Sequence, residues 1–207
     1  MIRNLKALGL AVMAIFALTA VASSAAQAIE FHSEIENTTV TANTEAGSNS
    51  VFDAAGASIS CSSATFTGSQ ALKTSATLTV TPTYTGCTFL GVLNVPVKMN
   101  GCQYTFNANG EVAVTGASCT AITFEATGCK VEVGKQSNLK EVTYTNILGN
   151  GTTTREVTVT PHVTGITYTS SGLCPKNGTF ADGNYTSGNA VAKGENSKGA
   201  QVGIWVE

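Results

Sequence analysis

Charged residues are scarce in this chain of 207 residues. Only 12% of the residues are Asp, Glu, Lys or Arg, which is about half of the roughly 25% that soluble domains carry. This scarcity argues against a disordered acidic chain, a long solvent-facing helix and a protein that binds nucleic acid phosphates. Threonine, in contrast, occurs about thirty times, and this residue favours strands over helices.

Motifs of known catalytic sites are also missing. The chain has no G-x-S-x-G, H-E-x-x-H, G-x-G-x-x-G or P-loop pattern. Of its two histidines, His162 falls on the threonine face of an alternating run and is interpreted as a solvent-facing strand residue. His32 lies close to the predicted mature N-terminus, where chains are usually mobile. We therefore expect a protein that is not an enzyme.

Cysteine spacings typical of metal sites are absent as well, because no two cysteines form a CxxC pair. An even number of cysteines in an exported chain indicates disulfides, and the six candidates are Cys61, Cys87, Cys102, Cys119, Cys129 and Cys174. We expect a Cys61–Cys87 bridge and a bridge from Cys102 to either Cys119 or Cys129. Cys174 is alone in the second half of the chain, so it must pair across the two halves.

A calcium site receives equally little support. Asp182, Gly183 and Asn184 resemble part of a calcium loop, but the other ligand positions of that motif are missing. Turn chemistry explains this Asp-Gly pair better. The sequence therefore predicts neither a metal nor a cofactor.

The first 28 residues have the pattern of a secretory signal peptide. Arg3 and Lys6 precede an uncharged apolar run over 8–22, and an A-x-A cleavage site follows at 26–28. Loss of the two basic residues leaves nine basic and 13 acidic residues in the mature chain, a net charge of −4. No later segment approaches the roughly 20 apolar residues of a membrane span. We expect a secreted protein without a membrane or nucleic acid partner.

Short alternating runs fill the rest of the chain. In 77–85 apolar side chains alternate strictly with threonines, which places Tyr84 on the apolar face, and 156–164 repeats this pattern. Strands broken by turn residues, without helical periodicity, predict an all-β protein, namely a disulfide-reinforced antiparallel β-sandwich. Pro82 and Pro161 lack the N–H group of a strand ladder, so their strands should be edges or bulged there.

A near-repeat indicates how the strands are organised. Residues 64–82 resemble residues 142–161, and Pro-x-x-Thr-Gly follows in both. We interpret this likeness as an internally duplicated β-unit with halves at 51–133 and 139–207.

The mature chain is predicted to contain one folded domain. Because Cys174 must pair across the halves, residues 51–207 should form a single compact unit. The polar segment 29–50 precedes this unit and should contain at most one edge strand, at 38–41.

Trp205 is the single tryptophan and our candidate ligand platform. Alternation over 202–206 places it on the face opposite Ile204, where an outward indole could stack on a sugar. A bulge at Gly203 would instead turn the indole toward the core, and we favour this reading. Other aromatic residues are interpreted as cross-strand packing residues: Tyr104, Phe106, Tyr144, Tyr168 and Tyr185.

Several segments together resemble a family of uncharacterised, Thr-rich, six-cysteine secreted proteins of actinobacteria. They include the signal peptide, Leu78–Cys87 (LTVTPTYTGC), Asn100–Phe106 (NGCQYTF), Val163–Tyr168 (VTGITY) and Val202–Val206 (VGIWV). The likeness covers nearly all of the mature chain. No activity, ligand or catalytic residue is known for the group, so the resemblance implies export and nothing about a reaction.

These observations favour a secreted, non-catalytic structural or adhesive protein at the cell exterior. Its expected partner is a cell-surface polysaccharide or another extracellular protein. The first alternative is a carbohydrate-binding module, which requires Trp205 and nearby tyrosine rings to be exposed together. The second alternative is a secreted hydrolase, which requires a concave pocket holding His162 beside a serine or an acid.

Overall fold

The computed structural model describes residues 28–149, 151 and 153–207, so the predicted signal peptide lies outside the described residues except for Ala28. In this described part, no helix is long and apolar enough to cross a membrane. Its strands are β1 (Phe31–Ser33), β2 (Thr38–Thr44), β3 (Ser50–Ala54), β4 (Ala57–Gln70), β5 (Thr74–Ser75), β6 (Thr77–Phe89), β7 (Leu93–Asn94), β8 (Val97–Lys98), β9 (Gln103–Asn107), β10 (Val112–Thr115), β11 (Ile122–Ala126), β12 (Cys129–Val133), β13 (Gln136–Leu139), β14 (Val142–Leu148), β15 (Arg155–Gly172), β16 (Gly178–Ser187), β17 (Ala190–Glu195), β18 (Gln201–Val202) and β19 (Ile204–Val206).

Long antiparallel strands organise the larger of two sheets. β2 and β3 follow one another along β4, and β17 and β16 follow one another along β15. The strands along β4 also pair with the strands along β15: β2 pairs with β17, and β3 pairs with β16. The smaller sheet has the order β19-β1-β5. The predicted all-β, antiparallel, sandwich-like fold is confirmed.

The N-terminal segment is a full part of this fold. β2 pairs with β4 on one side and with β17 on the other, so the expectation of at most one edge strand within 29–50 is wrong. Thr38, Val40 and Ala42 are buried, and the Thr38 hydroxyl donates to the Ile35 carbonyl at 2.9 Å. Alternating threonines made the segment read as polar, although its other face is buried.

Three disulfides join the strands. Cys61 and Cys87 are directly opposite each other in β4 and β6, and Cys102 pairs with Cys119. The third bridge joins Cys129, at the start of β12, to Cys174, just after β15. The Cys61–Cys87 bridge and the pairing of Cys174 across the two halves of the chain are confirmed, and Cys102 takes Cys119 of its two expected partners.

Both strand prolines lie where a ladder is interrupted, as predicted. β9 and β7 pair only with the two ends of β6, so the side of β6 that faces away from β4 is open at Pro82. In β15, Pro161 lies where the antiparallel partner changes from β17 to β16. The missing N–H group therefore removes no regular ladder bond at either position.

Each copy of the near-repeat forms an antiparallel strand pair. Residues 64–82 belong to the β4–β6 pair and residues 142–161 to the β14–β15 pair. The internal duplication itself stays a prediction.

The buried side chains form two clusters. The larger one contains five of the bridged cysteines and residues such as Phe52, Ile59 and Val131. The smaller one lies on β2, β4, β6, β15 and β17 together with Ile204. Five half-buried residues pack against both clusters and therefore lie between them: Tyr84, Tyr104, Phe106, Tyr144 and Val159.

Glu156 breaks the alternation of the second predicted strand. Its side chain is buried, although the neighbouring Val157 is buried as well. The carboxylate accepts a hydrogen bond of 2.6 Å from Gln201 Nε2, and Lys193 Nζ lies 3.5 Å away. Glu156 thus connects β15 with β17 and β18 near the C-terminus.

We expect Gln201→Leu to lower the free energy of unfolding by about 1–3 kcal/mol, because a buried carboxylate loses its closest hydrogen-bond donor. Urea denaturation followed by Trp205 fluorescence measures the effect. Gln103→Leu is the matched control, since Gln103 donates to the hydroxyl of Thr81, an exposed residue. Equal losses in the two variants would contradict a structural role of Glu156.

Candidate functional site

An apolar cavity of about 130 Å³ lies in the interior of the protein. One part of its lining comes from Phe31 and Ile204 of the smaller sheet, and another part comes from Val112 and Leu139 of the larger sheet. The cavity therefore extends along the space between the two buried clusters.

Small side chains leave this space open. Ala42, Ala190 and Ala192 line the cavity from β2 and β17, and Ala42 lies directly opposite Ala192 in the strand register. All three are buried. Because a methyl group reaches less far than a Val or Leu side chain, these three positions occupy less of the space between the sheets than larger apolar residues would.

A cluster of hydroxyl groups interrupts the apolar lining. Tyr84 Oη lies 3.1 Å from Tyr104 Oη and 3.4 Å from Tyr185 Oη. Ser50 Oγ and Ser187 Oγ are 3.3 Å apart, and both serines lower the pKa of Tyr185, which burial raises. All five residues line the cavity, and we call them the hydroxyl cluster.

Burial keeps these phenols protonated. Removal from water raises the pKa of Tyr84 well above its usual value, and the neighbouring Tyr104 and Tyr185 raise it further. Burial likewise raises the pKa of Tyr104 and of Tyr185. A phenolate in this environment would be a buried charge without a cation. The cluster is therefore a set of neutral groups that both donate and accept hydrogen bonds.

Trp205 contributes to the cavity lining instead of projecting freely into solvent. Its ring is half-buried and stacks on His32 with the centroids 5.3 Å apart, while Arg155 Cζ lies 4.6 Å from the ring centroid. Nε1 is buried and has no hydrogen-bond partner among the described residues. The strand is interrupted at Gly203, between β18 and β19. This is the position at which the sequence predicted a bulge that turns the indole toward the core.

His32 lies in a strand and not in a mobile terminus. β1 places it directly opposite Trp205, and its Nε2 is 3.3 Å from the Glu207 carbonyl oxygen. The sequence prediction for this residue was wrong, because pairing with β19 and β5 holds the N-terminal strand on both sides.

The tyrosines predicted as packing residues have a second role. Tyr104, Tyr144 and Tyr185 line the cavity, and Tyr144 Oη donates to the Asn107 carbonyl at 3.0 Å. Tyr168 is buried, and the other four tyrosines are half-buried. Trp205 and the tyrosine rings are therefore not exposed together.

Asp182 lies in strand β16 and not in the turn that its Asp-Gly sequence predicts. The β15–β16 register shifts at this point, and a Cβ at Gly183 would lie 2.7 Å from the Ile166 carbonyl oxygen. The close approach of β15 explains the glycine. Asp182 Oδ1 accepts a hydrogen bond of 2.9 Å from Tyr168 Oη.

His162 lies on the protein surface, as its place on the threonine face predicts. Its side chain is 62% exposed, and Nδ1 is 3.5 Å from Oε2 of Glu141, which is 54% exposed. The two residues do not belong to the lining of the interior cavity. Among the described residues, no group of three or more His, Cys, Asp or Glu side chains has a metal-binding arrangement.

Sequence reasoning missed the interior cavity. The strict alternation over 77–85 placed Tyr84 on the inner face, but it did not identify what Tyr84 meets there. The sequence feature that could have indicated the cavity was the presence of both inward tyrosines and small alanines on predicted strands. Comparison of the chain with protein-family models, curated proteins and solved structures finds no match.

Proposed function

We propose that this chain is exported and acts outside the cell as a non-catalytic structural or adhesive protein. The observation that carries the proposal is the pairing of all six cysteines into three disulfides. Such bonds form and persist in oxidising compartments and are rare in reducing ones. The signal-peptide pattern at the N-terminus supports the same compartment.

Adhesion is supported by apolar side chains on turns at one end of the protein. Leu90, Val92 and Leu173 are 55%, 78% and 80% exposed, and we call them the turn patch. Leu90 N donates to the Ser58 carbonyl, and Leu173 follows β15. Ser58 follows the turn after β3, and a Cβ at Gly56 in this turn would lie 3.7 Å from Pro175 Cβ, two residues after Leu173. Where exposed apolar side chains form one contiguous patch, they mark a contact surface for another molecule.

Fractionation of cells that express the full chain tests the compartment. We expect the protein outside the cell, beginning at Ile29 and with all six cysteines oxidised. An intracellular protein that keeps its N-terminus and titrates with free thiols would contradict the proposal.

Retention on a panel of polysaccharides, cell-wall material and extracellular proteins tests the adhesive role. We expect retention on at least one matrix, and at least tenfold weaker retention when Leu90, Val92 and Leu173 are all replaced by serine. Trp205→Ala, checked by thermal unfolding, is the comparison variant. Loss of polysaccharide binding in Trp205→Ala alone would favour a carbohydrate-binding module. Absence of retention on every matrix would contradict adhesion.

A further inference from the structure

We propose that the interior cavity is a binding site for a small, neutral, hydroxylated hydrocarbon. In this site the apolar body of the ligand occupies the space beside Ala42, Ala190 and Ala192, and its hydroxyl joins the hydroxyl cluster. This inference is independent of the turn patch and of the proposed adhesive role.

The size of the cavity limits the ligand. A protein cavity of about 150 Å³ with an aliphatic and aromatic lining stays dry and binds benzene. The cavity here, at about 130 Å³, is close to that volume. This comparison of volumes points to a ligand with about six carbon atoms.

The lining determines the charge of the ligand. Among the described residues, no Arg, Lys, Asp or Glu belongs to the lining, and the polar side chains there are His32, Ser50, Gln70, Tyr84, Tyr104, Tyr144, Tyr185, Ser187 and Trp205. A carboxylate or an ammonium group inside would lose its hydration without gaining a counter-ion. The ligand must therefore be uncharged.

The hydroxyl cluster determines the polar group of the ligand. Every hydroxyl has one hydrogen to donate and two lone pairs to accept, so connected hydroxyls always retain spare acceptor capacity. Tyr84 bonds to both Tyr104 and Tyr185 and is the central member. An added hydroxyl donates to the spare lone pairs and accepts in return, which neither a pure hydrocarbon nor an ion achieves.

Access is easiest through the smaller sheet. β1, β5 and β19 have only three, two and three residues, and Phe31, His32, Ile204 and Trp205 of this sheet belong to the cavity lining. Local opening there must break the ladders of these short strands and the backbone bonds of Glu30 with Glu207, of Ser33 with Lys73 and of Glu34 with Gly203, which is still less than global unfolding requires.

Titration of the secreted, disulfide-bonded protein with two six-carbon alcohols tests the site. The probes are 1-hexanol for a chain and cyclohexanol for a ring, with hexanoate as the charged control. Binding is measured by the fluorescence of Trp205, the single tryptophan, and by the thermal midpoint. We expect saturable binding of at least one alcohol, and at least tenfold weaker binding of hexanoate.

Two variants separate the site from a general effect on the fold. Ala192→Leu fills the cavity and should abolish saturable binding, whereas Thr39→Leu, an exposed position on the neighbouring β2, should leave it unchanged. Tyr84→Phe keeps the ring but removes the central hydroxyl, and should weaken binding of the alcohol about threefold to tenfold. If Ala192→Leu does not fold, the affinity of Tyr84→Phe for the alcohol tests the site instead.

Three results would overturn the proposal. The first is the absence of saturable binding of both alcohols up to their solubility limits. The second is binding of hexanoate as tight as that of the alcohols. The third is unchanged binding of the alcohol in a folded Ala192→Leu or Tyr84→Phe variant.

Discussion

Replacement of Cys129 and Cys174 by alanine is expected to lower the free energy of unfolding by about 4 kcal/mol. The bridge closes a segment with a sequence separation of 45 residues. In the chain-entropy account, a cross-link stabilises the fold by restricting the unfolded chain, and the effect grows with the logarithm of the loop length. Since native domains are stable by only about 5–15 kcal/mol, this loss is a large fraction of the total.

The other two bridges provide the comparison. Their sequence separations are 26 residues for Cys61–Cys87 and 17 residues for Cys102–Cys119. The same account predicts losses of about 3.5 and about 3 kcal/mol for the corresponding alanine pairs. Urea denaturation of the three double-alanine proteins measures the order. A smaller loss for Cys129–Cys174 than for Cys102–Cys119 would show that strain or residual structure outweighs loop entropy.

Alkaline solution is expected to unfold the protein cooperatively. All five tyrosines of the chain have a raised pKa, with burial as the largest cause in each. The folded state therefore retains phenolic protons that the unfolded state releases near pH 10. Stability is unaffected below pH 10 and falls as the pH rises above it.

The slope of this loss is steep. Each phenol that stays protonated in the folded state contributes about 1.4 kcal/mol per pH unit above 10. Tyr84, Tyr104 and Tyr144 together give about 4 kcal/mol per unit by the same relation. With a total stability of about 5–15 kcal/mol, this slope of about 4 kcal/mol per unit predicts unfolding between about pH 11 and pH 14.

Tyrosinate absorbance and circular dichroism, recorded over the same pH range, measure this transition. We expect the two signals to change together, because the buried phenols ionise only when the chain unfolds. Tyr84→Phe/Tyr104→Phe is the test variant, and its transition should lie at higher pH and be shallower than that of the unmodified protein. Gradual ionisation near pH 10 with unchanged circular dichroism would show that the phenols are accessible in the folded protein.

Local features of the sequence were sufficient for much of the fold. Strict alternation predicted which residues of β6 point inward, since successive side chains of a strand point to opposite faces. Pro82 and Pro161 predicted where ladders are interrupted, because the missing donor is a property of the residue itself. The Cys61–Cys87 bridge joins cysteines that are near in sequence, which made it accessible to the same reasoning, whereas the partner of Cys102 stayed open between Cys119 and Cys129.

The same reasoning failed where a residue's environment comes from distant strands. β2 reads as polar because of its threonines, but β4 and β17 bury its other face. Glu156 occupies an outward position in the alternation. Its buried carboxylate is satisfied by a hydrogen bond from Gln201, which is 45 residues away in the sequence. Asp182 and Gly183 look like a turn, while the approach of β15 places them in a strand.

The sequence by itself determined the class of the protein: an all-β chain whose cysteines pair across its two halves. These features, namely the periodicity of the strands, the prolines and the positions of the cysteines, belong to single segments or to the whole composition. They can therefore be recognised in the sequence alone. Only the tertiary structure decided that Trp205 lines an interior cavity, and that three alanines and a cluster of hydroxyls share this cavity with it. A void is the space that side chains from several strands leave unfilled, so no single segment of the sequence specifies it.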